Sequence, residues 1–346
     1  MFATLMKRQV LGIVAVAIIA LIALNVAQVS HAQAKPRYAM LVRVLGNTAF
    51  ELARVGAQEA ADELGVELIF TGPTENTAEG QVELINSLIA QRVDAIMITA
   101  NDATALTPAL QRAAQRGITV VSWDQDLDKT ARRLHIAASS NDLIALGPLN
   151  IINDLLGGAG DVGVISGPAN STTQNEWVAD MIRFTKEDAR FSGINVVEVA
   201  YGDERSDKGY NEALGLVSKY PDLKGIVAYS SIGLAAAAKM VRDQGLVGKV
   251  FVTGLGFPNE MVGDVLSGAV PAFAIWNMID VGYTTLYATH ALVTGEATGA
   301  VGETIPVGRM GEITVGDDNV AVMGGLFVYD KTNVEAAAEL ISSLSQ

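Results

Sequence analysis

The chain has 346 residues, half of them apolar, with a formal net charge of −14, three histidines and no cysteine. The length suits two domains of ordinary size, and the modest charged fraction argues against long disordered tracts. The missing cysteine excludes disulfides, thiolate metal sites and a cysteine nucleophile. His31, His135 and His290 sit in no ligand-spacing motif, and no dense Lys/Arg block follows Lys7-Arg8, so neither a histidine metal site nor a nucleic-acid surface is expected.

The N-terminus reads as an export signal over residues 1–32. Lys7-Arg8 precede an apolar run at 10–24, and Ser30-His31-Ala32 offers small residues at the −3 and −1 positions of a cut after Ala32. The alternative is an uncleaved membrane anchor, since the run is long for a signal peptide. Either way the expected location is exported, in the periplasm or on the outer face of the cytoplasmic membrane.

From residue 38 strands and helices alternate. The spacing predicts strands at 38–45, 66–70, 93–99 and 118–121, with helices at 49–64, 78–91 and 107–115 between them. Gly65 and Gly117 stop two of these helices, and Asn76 with Glu79 fits a cap for the one starting at 78. After a polar loop a short strand at 134–138 follows. The pattern restarts with helices at 143–156, 175–189, 208–219, 232–244, 259–267 and 281–294. Strands lie between them at 161–166, 195–200, 225–229, 249–254 and 270–275. The expected fold class is α/β, with two doubly wound parallel-sheet lobes joined by a hinge. Their expected extents are 36–137 plus 277–306, and 138–276 plus 307–346.

The stretch 118–126, Ile-Thr-Val-Val-Ser-Trp-Asp-Gln-Asp, is a buried parallel strand that ends in an aromatic, two carboxylates and an amide. Open α/β sheets bind ligands outside the carboxyl ends of their strands. Trp123 and Asp124 are therefore expected to line a cleft for a small polyhydroxylated molecule. Polyol recognition needs amide, carboxylate and guanidinium groups for hydroxyl pairs, and an aromatic face against the ring. Strand-end candidates with that chemistry are Arg43, Asn101, Trp123, Asp124, Gln174, Asn175, Tyr229, Ser231, Trp276 and Asn277, with Asp102 and Ser230 beside them. Arg43 lies among apolar residues and needs a partner, either an acid such as Asp124 or a ligand oxygen. Asp126 is assigned a structural role, Trp276 either hinge packing or cleft contact, and the charge run 203–207 a solvated helix start.

Enzyme and cofactor motifs are missing. There is no Walker A sequence and no Gly-x-Ser-x-Gly elbow, and the Gly254-Leu255-Gly256 start lacks the third glycine of a dinucleotide loop. No enzyme activity and no cofactor are expected.

Several motifs stand together in order: Gly-Ala-Gln-Glu-Ala-Ala at 56–61, Thr-Gly-Pro-Thr-Glu at 71–75, Trp-Asp-Gln-Asp at 123–126 and Thr-Gln-Asn-Glu-Trp at 173–177. Tyr-Pro-Asp-Leu-Lys-Gly-Ile at 220–226, Gly-Leu-Val-Gly-Lys-Val at 245–250 and Ala-Phe-Ala-Ile-Trp-Asn at 272–277 follow. Over about residues 36–335 the chain resembles the periplasmic sugar-binding proteins of ABC importers, in the branch of the rhamnose and autoinducer-2 binders. The resemblance implies a type I periplasmic-binding-protein fold, a ligand enclosed between two lobes by hinge closure, a membrane permease as partner and a monomeric state. It places Arg43 where the autoinducer-2 binders have a lysine, and Asp124 at their first aspartate. Thr173-Gln174 replaces their Asp-Gln pair, and Tyr229-Ser230-Ser231 their Pro-x-Ala segment. These departures count against autoinducer-2, while the Thr-Gln-Asn form at 173–175 and Trp276-Asn277 look more like the rhamnose-type sugar binders; Tyr229 departs from the usual proline of both. An autoinducer-2 binder or a sensor subunit presenting its ligand to a membrane receptor are the alternatives.

Overall fold

Apolar runs rich in β-branched residues alternate with amphipathic segments from residue 37 onward, and each becomes a strand or a helix in turn. The computed structural model describes residues 35–344 apart from Asn76 and Asn170. The expected signal segment and the Asn76 cap lie outside the described residues. The helix Ala78–Gln91 is capped by Thr77, whose hydroxyl accepts from Gly80 N at 3.3 Å. Among the described residues no helix is long and apolar enough to cross a membrane.

The first run comprises β1 (Arg37–Leu41), β2 (Glu67–Thr71), β3 (Ala95–Ile98), β4 (Thr119–Trp123) and β5 (Leu134–Ala137). The second comprises β6 (Ala159–Ser166), β7 (Gly193–Tyr201), β8 (Leu223–Ala228), β9 (Phe251–Gly254) and β10 (Ala272–Ile275). The tail adds β11 (Thr304–Pro306), β12 (Glu312–Thr314), β13 (Val320–Val322) and β14 (Phe327–Asp330).

One sheet is wholly parallel and ordered β2-β1-β3-β4-β5-β13. The other is ordered β7-β6-β8-β9. A bridge between Leu255 and Ala274 extends it to β10, against which β14 runs antiparallel. The two lobes thus repeat one winding, first strand central and second strand outside it. The chain crosses between them three times, at 138–140, 276–277 and 323–326.

Parallel sheets bury both faces, and both sheets do so here. In the first, Tyr38, Met40, Met97, Val121 and Trp123 face the helices Thr48–Leu64 and Met278–Thr294. Ala39, Leu41, Ile96, Ile98 and Val120 face the helices Ala78–Gln91 and Ala103–Gln115. In the second, Ile165, Ile226 and Ala228 pack on the helices Ser206–Lys219, Ser231–Asp243 and Pro258–Ser267. Val162, Val164 and Val227 pack on Asn141–Leu156 and Thr172–Glu187.

The expected lobe boundary after 306 is corrected. Val307, Ile313, Val315 and Ala321 lie in the first lobe's core, and β13 pairs with β5, so 307–322 stays with the first lobe. The three-residue β13 is too short to show a periodicity, and only β14 and the helix Val334–Leu344 return to the second lobe.

The helices Thr48–Leu64 and Met278–Thr294 meet backbone to backbone. A Cβ on Gly282 would stand 1.8 Å from the Ala53 carbonyl oxygen, and one on Gly56 1.8 Å from that of Ile279. The loop after β4 is anchored separately. Arg132 forks onto Asp126 at 2.6 and 2.8 Å, Ser122 donates to Asp126 at 2.7 Å, and His135 Nδ1 lies 2.9 Å from the Ser122 hydroxyl. Burial pushes the Asp126 carboxyl up, but Arg132, His135 and Ser122 together outweigh it and hold it below its ordinary value. The structural role expected for Asp126 matches these contacts. Burial also pushes the His135 imidazole down to about 4.

Two outcomes are expected. Gly282→Val should cost about 1–3 kcal/mol or more in urea unfolding, because the helix pair must separate. Gly215→Ala, in a helix with open space around the new methyl, should stabilise by about 0.5–1 kcal/mol; equal effects at both sites would overturn the close-approach account. His135 is neutral when folded and protonates near 6.5 when unfolded, so the unfolded state binds the extra proton. Stability should fall as pH drops from about 6.5 towards 4, by up to about 1.4 kcal/mol per unit, and His135→Gln should flatten that window in pH-dependent melts.

Candidate functional site

In both sheets the winding direction reverses beside the central strand, and the crevice there opens at the carboxyl edge. In the first lobe that point lies between β1 and β3. Strand β1 stops at Leu41, not 45 as expected, so Arg43 stands in the loop beyond it rather than within the strand. Asn101 and Thr99 follow β3, and Asp124 follows β4.

These residues converge. Arg43 Nη2 is 3.7 Å from Asp124 Oδ2, which also accepts from the Thr99 hydroxyl at 3.0 Å. The guanidinium lies over Phe50, 5.2 Å from the ring centre. Its Nε is buried and finds no hydrogen-bond partner among the described residues. Asp124 has φ 58°, a left-handed backbone uncommon outside glycine, and this turns its carboxylate back over the sheet edge. Burial raises the Asp124 pKa above the ordinary 3.8, against the lowering pull of Thr99 and Arg43.

Asn101 serves the framework. Its amide donates to the Arg43 and Thr77 carbonyls at 3.1 and 3.0 Å. Behind it Gln81, fully buried, donates to the Val42 and Thr99 carbonyls and accepts from Asn101 N. Gln81 thereby ties together the chain ends leaving β1 and β3. Asp102 caps the helix Ala103–Gln115 through Thr104 N and Ala105 N, both at 2.9 Å.

Two expected cleft residues are corrected. Trp123 belongs to β4, which runs two residues further than 121. Alternation with Val121 drives its ring into the core, where it is fully buried edge-on against Phe50. Tyr229 is also fully buried, its hydroxyl donating to the Ala145 carbonyl at 2.7 Å. Its backbone still belongs to the crevice, since its carbonyl accepts from Gln174 Nε2 at 3.2 Å.

In the second lobe the reversal lies between β6 and β8. The helix Thr172–Glu187 begins before the expected 175 and carries Gln174 and Asn175 in its first turn. Gln174 donates to Glu204 at 2.8 Å, while Asn175 turns away to the Ala169 carbonyl at 2.8 Å. Ser230 caps the helix Ser231–Asp243, leaving Ser231 half-buried at its start.

Trp276 and Asn277 occupy the second crossover. Trp276 packs against the cores of both lobes and also walls a cavity of about 470 Å³. That cavity is lined from both lobes by the residues that follow β1, β9 and β10, with Phe257, Phe327, Tyr329 and Leu340 making it largely apolar. Asn277 lines it too, and caps the helix Met278–Thr294 through Ile279 N at 3.0 Å.

Sequence reasoning missed Gln81, Thr99 and Glu204. Gln81 left a trace, being a polar residue on the stripe it shares with buried Ile85 and Leu88. Glu204 left none, because its charged neighbours read as a solvated helix start.

A family model described as "periplasmic binding protein domain" matches residues 38–297. A sugar ABC transporter structure from Actinomyces odontolyticus is 35% identical, covers 87% of this chain and 97% of its own, and has a TM-score of 0.82. An ABC transporter solute-binding protein from Clostridium phytofermentas, solved with bound L-rhamnose, is 32% identical with a TM-score of 0.62, covering 88% and 99%. The D-allose-binding periplasmic protein of Escherichia coli is 26% identical over 83% of this chain and 92% of its own. The chain belongs to the periplasmic binding protein family.

Proposed function

We propose that the protein is an exported receptor that captures a sugar or polyol, a rhamnose-like monosaccharide foremost, between its lobes. It closes by hinge motion and delivers the ligand to the membrane permease of an ABC importer. The observation that carries this reading is the Arg43–Asp124 pair at the first lobe's reversal point. It presents a carboxylate that accepts hydroxyls and a guanidinium with an unsatisfied Nε that a ligand oxygen would satisfy. Gln174 stands at the equivalent point of the second lobe, and Asn277 with Trp276 stands at the crossover between them. The 32%-identical neighbour with bound L-rhamnose supports the sugar class, as does the allose-binding relative.

Asp124 is held there against its own stability. Its pKa is raised in the folded protein, so at neutral pH the ionised form is disfavoured by folding, and that cost disappears as pH falls through the raised value. A role in ligand binding accounts for keeping a carboxylate at such a cost.

The direct test is calorimetric titration and thermal melting of the chain with L-rhamnose, D-allose, D-ribose and pentitols. A ligand at about 100 times its Kd should add roughly 2.7 kcal/mol of stability. No response to any of them, after unfolding and refolding to remove a carried ligand, would sink the sugar reading. Asp124→Asn should melt at or above the wild-type temperature. It should lose about 10-fold or more in affinity, the equivalent of one charge-assisted hydrogen bond. A marked drop in melting temperature with unchanged affinity would make Asp124 a structural residue.

A further inference from the structure

We infer that Glu204 is the second lobe's ligand-contacting carboxylate and sets a preference for neutral sugars over sugar acids. This rests on the sugar-receptor reading above. Glu204 follows β7, and its carboxylate reaches across the carboxyl ends of β6 and β8. Oε1 accepts from Gln174 Nε2 at 2.8 Å and Oε2 from the Ser230 hydroxyl at 2.6 Å. It therefore sits at the reversal point of the second sheet, where Asp124 sits in the first.

The two carboxylates share their construction. Asp124 has φ 58° and Glu204 φ 52°, both left-handed, and Asp203 before it is left-handed too. Each accepts from a hydroxyl that follows another strand of its sheet, Asp124 from Thr99 after the adjacent β3 and Glu204 from Ser230 after β8, across β6 from its own β7. Left-handed non-glycine backbone tends to gather at functional sites, where the surrounding structure imposes it. Close approach is also built in. A Cβ on Gly167 would stand 2.1 Å from Gln174 Oε1 and 2.5 Å from Glu204 Oε1, so a larger residue there would displace the tips of both side chains from this arrangement.

The charge environments differ. Asp124 faces Arg43. Around Glu204 the nearby cations are engaged with other acids, Arg205 with Asp207 at 2.5 Å and Lys208 with Asp203 at 2.6 Å. Among the described residues Glu204 makes no ion pair and bonds two neutral donors. It is exposed, and two donors leave part of a carboxylate's acceptor capacity free for ligand hydroxyls. A second carboxylate without a cation also repels a ligand that carries its own negative charge.

The competing role is structural. Ser230 Oγ accepts from Gly233 N at 3.2 Å, so Glu204 could serve only to orient that cap. Glu204→Gln separates the two, since it keeps an acceptor for Ser230, gives up only the exposed one for Gln174 Nε2 and removes the charge. The full chain is titrated with L-rhamnose, D-ribose and D-allose, and the tightest is compared with D-glucuronate and D-galacturonate. For Glu204→Gln we expect an unchanged melting temperature without ligand and about 10-fold weaker binding of the neutral sugar. The ratio of sugar-acid to neutral-sugar affinity should rise by about 10-fold. Unchanged affinity and ratio would overturn the assignment, as would a lowered melting temperature with equal losses for every ligand. If wild type binds a sugar and Asp124→Asn weakens it while Glu204→Gln does not, only the Glu204 assignment falls. If wild type binds none of the three, the receptor reading falls and this inference with it.

Discussion

A parallel sheet wound with helices on both sides has no free face, and everything else in this molecule follows from that constraint. Helices seal the two broad surfaces, so polar groups can meet a ligand only at the edge where strands end and loops begin. Both lobes obey it. The three crossovers leave the last strands of each sheet, at 138–140, 276–277 and 323–326, and so tie the two carboxyl edges to one another. Trp276, packed on the cores of both lobes, is the side chain most directly placed at that junction.

Holding polar groups at such an edge requires a framework of its own. Gln81 supplies it in the first lobe by satisfying carbonyls from two strand ends at once, with Asn101 extending the network to Arg43 and Thr77. A buried amide without these partners would cost more than it contributes. In the second lobe Gln174, Ser230 and Glu204 form the matching arrangement, closed at its base by Gly167. Under the proposed hinge closure, rigid supports of this kind would leave the motion to the crossovers.

The repeated winding also explains which aromatic residues are framework and which are surface. Trp123 and Tyr229 lie at a strand end where alternation still sends the side chain inward. Trp276 lies beyond the strand pattern, in a crossover with core on two sides and a cavity on a third. An aromatic at a strand terminus is thus placed by the parity of the last residue as much as by its nearness to the cleft.

How much was legible depends on the range of the interaction. The order of strands and helices, the α/β class, the polar residues at the carboxyl edge and the need of Arg43 for a partner such as Asp124 follow from local patterns: runs of β-branched residues, helical spacing, stop signals, and a charge that cannot be buried alone. Strand ends were less visible, because hydrogen bonding to a neighbour, not composition, carries β4 on to Trp123 alongside β5 and stops β1 at Leu41. The third crossover was expected after 306 and falls after 322, since β13 exists only through its pairing with β5. The sequence by itself determined the architecture and the chemistry available at the strand ends, through local propensity and hydrophobic period. Only the tertiary structure decided that Trp123 and Tyr229 are buried, that Gln81 is a hub and that Glu204 meets Gln174 and Ser230. Those outcomes depend on register and on contacts between residues 30 or more positions apart in most cases, which no local pattern records.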